Sequence, residues 1–144
     1  MPKTVLCPKN LKFQPRSTYP YSPGAKGGQM VFTAGQVAWD KTGEVTAIGD
    51  VRAQTVQTLT NVKSVLEEGG ATLDDVFKCN VYLADMRHFQ IMNEEFAPAA
   101  YRGGAGPASR PDAPCATIAG DWGAPSGDSR LRGVAADWRI GVAT

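Results

Sequence analysis

The chain has 144 residues, enough for one domain with a single core. Lys+Arg 15 against Asp+Glu 14 leave a formal charge of +1, which argues against a strongly basic nucleic-acid binder and against an acidic tail protein. One histidine and three widely spaced cysteines without a CxxC pair argue against a histidine metal site, a Ser-His-Asp triad, a thiolate zinc site and a disulfide framework.

Met1-Pro2-Lys3-Thr4-Val5-Leu6-Cys7 has no long apolar segment and no small-residue cleavage site, so it does not read as a signal peptide. No apolar run approaches the ~18 residues of a membrane span. A cytoplasmic location is expected. Met30-Val31-Phe32-Thr33-Ala34, bounded by Gly27-Gly28 and Gly35, predicts a buried strand. Val37 to Val45 predicts a strand end, a turn at Asp40-Lys41-Thr42-Gly43 and a return, because the turn offers Asp and a Gly free to take positive φ.

The spacing predicts a helix over 51–68. Val51, Thr55, Leu59, Val62 and Leu66 step by four or three, and Val56 and Val65 widen the stripe. Asp50 is the expected N-cap and Gly69-Gly70 the stop. Arg52, Gln54, Gln57, Asn61, Lys63 and Ser64 are assigned to the solvent face. A strand over 76–83 follows, with Phe77, Cys79, Val81 and Leu83 on one face and Lys78, Asn80 and Tyr82 on the other. Asp85 then caps a second helix, striped by Phe89, Met92 and Phe96 and expected to end at Pro98. Weaker strands are expected at about 115–119 and 131–140. The order β-β-α-β-α-β-β predicts an α+β fold, a mixed sheet with two helices packed on one face.

Composition shifts after residue 96. Residues 97–144 contain no Lys, Glu, His, Phe, Met, Asn or Gln, and 25 of the 48 are Gly, Ala or Pro. Three readings fit: a structured Gly/Pro-rich region ending in strands, a flexible segment with little to bury, or a reading-frame change in a GC-rich gene. The whole of 1–144 is expected to form one domain, atypical over 97–144.

Several ordered motifs resemble one family. Tyr19-Pro20-Tyr21-Ser22-Pro23-Gly24-Ala25 resembles a GPYS-type loop, and Val31-Phe32-Thr33-Ala34-Gly35-Gln36 resembles a VFTSGQ strand. Gly49-Asp50-Val51-Arg52-Ala53-Gln54-Thr55, running on to Asn61-Val62-Lys63-Ser64-Val65-Leu66, resembles the family's first helix. Gly70 to Val76 and Val81-Tyr82-Leu83-Ala84-Asp85-Met86 resemble its next strand, and Met92-Asn93-Glu94 its second-helix signature. The family is Rid (YjgF), the enamine/imine deaminases formerly labelled endoribonuclease L-PSP. The match covers about residues 17–96.

The resemblance implies a chorismate-mutase-like homotrimer with ligand clefts between subunits. It implies hydrolysis of small-molecule 2-imino or 2-enamino acids to 2-keto acid and ammonia, without metal or organic cofactor. An arginine would clamp the substrate carboxylate, and a tyrosine with backbone groups would hold the imine and the attacking water. On this sequence those roles fall to Arg110 and Tyr21, with Asn93, Cys115 and Ala34 as further substrate-binding candidates. Other readings of the same residues stay open. Arg110 also reads as a solvated loop residue, Tyr21 as a core or interface aromatic, Cys115 as a small buried hydrophobe and Asn93 as a loop cap. Gln36 reads as a structural hydrogen-bonding group, Glu94 and Glu95 as helix-surface charges, and His88 as solvent-facing.

The sequence departs from the family at three places. The family arginine sits in a P-A-R-[ST] strand start, whereas here Arg110 is displaced by one position and followed by Pro111. Alternatively Ala113-Pro114-Cys115-Ala116-Thr117 is the equivalent stretch, and the arginine is absent. No Glu follows Glu95, so a late-strand glutamate has no counterpart, and Ala34 replaces a serine. A non-catalytic small-molecule-binding or protein-protective trimer, or a pathway-specific deaminase such as one acting on 2-aminomuconate, are the alternatives. Neither a membrane nor a nucleic acid is expected as partner.

Overall fold

The computed structural model describes residues 2–11 and 22–100 and the backbone of two later strands; at 98–100 only the backbone is described. Strands β1 (Lys3–Leu6), β2 (Gly24–Gly27) and β3 (Met30–Thr33) form an antiparallel sheet. Strands β4 (Gly35–Gln36), β5 (Lys78–Leu83), β6 (Cys115–Gly120) and β7 (Val134–Asp137) form a second sheet in the order β4-β7-β5-β6. In it β5 runs parallel to β6 and antiparallel to β7. Two helices, α1 (Val51–Glu68) and α2 (Phe89–Ala100), complete the fold; α1 packs on β3, β4 and β7, and α2 lies against α1. The α+β architecture with a mixed sheet and two helices is the expected one. No helix among the described residues is long and apolar enough to cross a membrane.

Helix α1 has the boundaries its spacing predicts. Asp50 caps it by accepting the Ala53 N–H at 3.0 Å. Its end is closed by the Ala71 N–H donating to the Leu66 carbonyl at 2.8 Å, with Gly70 in the left-handed region at φ 81°. Thr55, Thr60 and Ser64 donate their hydroxyls to the carbonyls four residues back, which keeps these polar side chains compatible with a helix. Leu59, Val62, Val65 and Leu66 meet Leu6 and Val31 of the first sheet, Cys79, Val81 and Leu83 of β5, and Met92 and Phe96 of α2 in one core.

Several expectations are corrected. Val56 is exposed, while Gln54 and Asn61, assigned to solvent, are buried. Asn61 faces backbone carbonyls rather than apolar groups, which is why a polar side chain is stable there. Phe77 precedes β5 and is half exposed, so the strand starts two residues later than expected. Asp85 caps a short 3₁₀ turn, Met86–His88, that leads into α2, and the half-buried His88 belongs to that turn. Helix α2 passes Pro98 and ends at Ala100, because a proline this near a helix end removes one ladder bond and leaves the preceding turns intact.

The late strands fall where two weak ones are expected, as Cys115–Gly120 and Val134–Asp137. Strands β1 and β2 lie outside the expected order; Gly-Ala-Lys-Gly carries no apolar alternation to mark a strand. The return over 37–45 is a single antiparallel bridge between Trp39 and Val45. Its turn is held by the Asp40 carboxylate, which accepts the Thr42 N–H at 2.7 Å, the Thr42 hydroxyl at 2.6 Å and the Glu44 N–H at 3.1 Å. Those bonds, led by the Thr42 hydroxyl, hold the Asp40 carboxyl below the usual range.

Candidate functional site

Ala34 is the single residue between β3 and β4, so it sits where the two sheets meet. It is half-buried, and its N–H donates to the Pro23 carbonyl at 2.8 Å. The buried Gln36 carboxamide donates to the carbonyls of Pro23 and Ala34, each at 3.2 Å. Gln36 therefore has the structural role its position implies, stitching the junction from both sides. A methyl group at residue 34 offers no hydroxyl to a ligand, so residue 34 itself can present only its backbone N–H and carbonyl.

Cys115 is the first residue of β6, the outer strand beside β5, and pairs in register with Lys78. Ala34 leads into β4, the outer strand at the other side of the same sheet. Three strand spacings separate β4 from β6, about 14 Å. One protomer thus does not bring Ala34 and Cys115 together. Asn93 is half-buried on α2, in the helical layer on the opposite side of the sheet from Lys78, Asn80 and Tyr82. Tyr21 and Arg110 lie outside the described residues.

Beside Asn93, Glu94 and Glu95 are engaged with Arg52 of α1. The Arg52 guanidinium donates to the Glu94 carboxylate at 2.6 Å and pairs with Glu95 as well. The Arg52 hydrogen bond, then that of Gln90, keeps the Glu94 carboxyl below its ordinary range. Glu94 is therefore held as a carboxylate. The two acids tie α1 to α2 across the surface, as the surface-charge reading expects, and Glu94 is poorly suited to donate a proton. Among the described residues, no three His, Cys, Asp or Glu side chains gather in a way that could hold a metal ion.

The open face of β5 carries Lys78, Asn80 and Tyr82, while Cys79, Val81 and Leu83 point into the core. Asn80 is in register with Thr117 on β6 and Asp137 on β7, and Tyr82 with Ala119 and Ala135. The sequence alternation shows the face but not its neighbours, because the pairing of β5 with two strands from 97–144 is set by tertiary structure.

The family model described as Endoribonuclease L-PSP matches residues 12–114. A RutC family protein of Pyrococcus horikoshii is 46% identical over 96 residues, 66% of this chain and 73% of that protein. Among solved structures, the Haemophilus influenzae protein HI0719 is 26% identical, with a TM-score of 0.77 and 100% of each chain covered. YyfA of Yersinia pestis, described as a Rid family protein, shares the fold at a TM-score of 0.78 and 23% identity, over 98% of this chain and 100% of its own. By the family model and the Pyrococcus relative together, this chain belongs to the endoribonuclease L-PSP (Rid/YjgF, RutC) family.

Proposed function

We propose that the protein is a hydrolytic deaminase of reactive 2-imino and 2-enamino acids, acting as a homotrimer through clefts between its subunits. The observation that carries this reading is the separation of Ala34, which leads into one outer strand of the sheet, from Cys115, which starts the other. The β3–β4 junction and the start of β6 are the two places where the family motifs put ligand contacts. One copy holds them about 14 Å apart, three strand spacings. Docking of a second copy would put the junction of one subunit beside the β6 start of the next, making a cleft that a lone protomer lacks.

The chemistry asks little of the side chains. A 2-imino acid is already electrophilic at its C=N carbon. Water adds there, the nitrogen gains protons, and the carbinolamine expels ammonia to leave the 2-keto acid. Arg110 holds the substrate carboxylate through paired N–H donors. Tyr21 and backbone groups orient the imine nitrogen and the water. Such positioning can supply up to about 7–11 kcal/mol of a barrier, more than this reaction needs. A second reading, a non-catalytic ligand-binding trimer, is favoured by Ala34 in place of a serine and by the lack of any Glu after Glu95.

The test generates 2-iminopropanoate in place with an amino-acid oxidase and follows ammonia and pyruvate. The proposed function requires release to rise in proportion to added protein, with one ammonia per pyruvate. Release no faster than in buffer overturns it in favour of the binding reading. Sedimentation of the same sample is expected to give a mass three times 15.3 kDa.

A further inference from the structure

We propose that Ala34 and Phe32 select the substrate's side chain, so that the protein prefers 2-imino acids whose side chain is aliphatic and longer than a methyl group. This rests on the deaminase reading and names the substrate class for the same site. At Ala34 the strand alternation slips by one residue: Thr33 and Gln36 are buried, and the half-buried Ala34 and the exposed Gly35 stand between them. Such a slip turns two successive residues away from the core, and strands use it to re-aim side chains beside sites. The Ala34 N–H already donates to the Pro23 carbonyl at 2.8 Å, and the Ala34 carbonyl accepts the Gln36 carboxamide at 3.2 Å. That leaves residue 34 its methyl group and one carbonyl lone pair to offer a ligand.

A 2-imino acid carries a carboxylate, a nitrogen and a side chain on its reacting carbon. Against the Ala34 methyl a carboxylate loses water and gains no donor, and the nitrogen can meet residue 34 only at its carbonyl. An aliphatic side chain is the substituent that the methyl favours, since both surfaces leave water. The apolar surface continues past Ala34. Phe32, two residues back, is 43% exposed on the face of β3 opposite the buried Val31 and Thr33. Its cross-strand neighbour is Ala25, whose own neighbour on β1 is Val5, 38% exposed, so one apolar row crosses three strands. Lys3, on the same face of β1, pairs with Gly27, two positions farther from the junction. Two residues span at most about 7 Å. A substrate methyl ends at Ala34, whereas a chain of three or four carbons extends toward the Phe32 ring and buries area that is open in the protein alone.

The experiment measures kcat/KM in the full chain for imines generated in place from alanine, norvaline and leucine, and from asparagine, whose side chain has nearly the shape of leucine's. Each buried methylene is expected to add about 4-fold. Wild type should therefore favour the norvaline imine over the alanine imine about 10-fold or more, and the leucine imine over the asparagine imine by at least as much. Ala34→Ser is expected to cut the leucine-to-asparagine ratio, and Phe32→Thr the norvaline-to-alanine ratio, each to about 3-fold or less. Ratios within one variant do not depend on how much of it folds. Wild-type turnover with both ratios near one overturns the selection and leaves the deaminase reading standing. A ratio unmoved by its variant overturns the role of that residue; if Phe32→Thr changes only the sedimenting mass, Phe32 belongs to the contact between subunits instead. Absence of wild-type turnover on every imine defeats the deaminase reading, and calorimetric titration of the keto acids then decides the selection alone. Tighter binding of 2-oxopentanoate than of pyruvate, lost in Phe32→Thr, supports it, and equal binding in wild type overturns it.

Discussion

The Asn61 carboxamide reaches out of α1 to the Trp39 carbonyl at 2.9 Å, and the same nitrogen donates to the Val37 carbonyl at 2.9 Å. Its oxygen accepts from Gln57 at 2.9 Å, so the buried group has partners for both its halves. The segment after β4 has few ladder bonds of its own, and Asn61 supplies what a neighbouring strand would supply. Asn61→Ala removes one donor from each of two carbonyls, of which that of Val37 keeps the Trp39 N–H at 2.8 Å. The expected loss is about 1–3 kcal/mol, read as a lower midpoint in urea with an unchanged slope. A midpoint equal to wild type would show that water replaces the carboxamide without cost.

Gly24 makes room for α1. A Cβ there would stand 2.4 Å from Val65 Cγ1 and 2.7 Å from the Phe32 carbonyl oxygen. Gly24→Ala is expected to destabilise by about 1–3 kcal/mol, the usual cost of overpacking. Adding Val65→Ala removes the side-chain conflict and leaves the backbone one. The pair should therefore lose less than the sum of the single changes, a difference that a double-mutant cycle in urea measures.

How much of this was legible depends on where the determining contact lies. The limits of α1 could be read from residues 50–70, because its stripe, cap and stop are local. Asn61 and Gln54 could not, since a polar residue at a helical step reads as solvent-facing until the strand end it serves is placed beside it. Strand β2 was silent for a similar reason: Gly24 is selected by the close approach of Val65 and leaves no hydrophobic period behind. At the candidate site, motifs located Ala34 and Cys115. Their separation, and the pairing of Cys115 with Lys78, depend on a sheet order that crosses between distant segments.

Acid should titrate one capping group late. The Arg87 guanidinium donates to Asp85 at 2.9 and 2.5 Å, and the Arg87 N–H at 2.9 Å, which together bring the Asp85 carboxyl down to about 2. Because the folded value lies below the ordinary 3.8, the stabilisation is present above the ordinary value and is lost as pH falls through about 2. Arg87→Gln is expected to move the Asp85 carboxyl up toward the ordinary value, seen in a carbon NMR titration between pH 5 and 1.5, a range set by ~1–2 units around those values. The pair is solvent-exposed and should be weakened by salt. An Asp85 titration unmoved by Arg87→Gln would assign the shift to the turn backbone instead.

The proposed carboxylate clamp has two candidate placements ahead of β6. The strand begins at Cys115, with Ala113 two residues before it and Arg110 five before it. An arginine three residues further back can still reach the strand start, since three residues span at most about 10–11 Å and the side chain itself extends several more. Arg110→Ala is therefore expected to lower kcat/KM for 2-iminopropanoate about 10-fold to 100-fold, the scale of a lost charge-assisted contact. Arg110→Ala with Ala113→Arg should recover part of that loss by placing a cation two residues before the strand start. If Arg110→Ala turns over as wild type while Ala113→Arg alone gains rate, Arg110 is a solvated loop residue. The clamp position was then vacated in this chain.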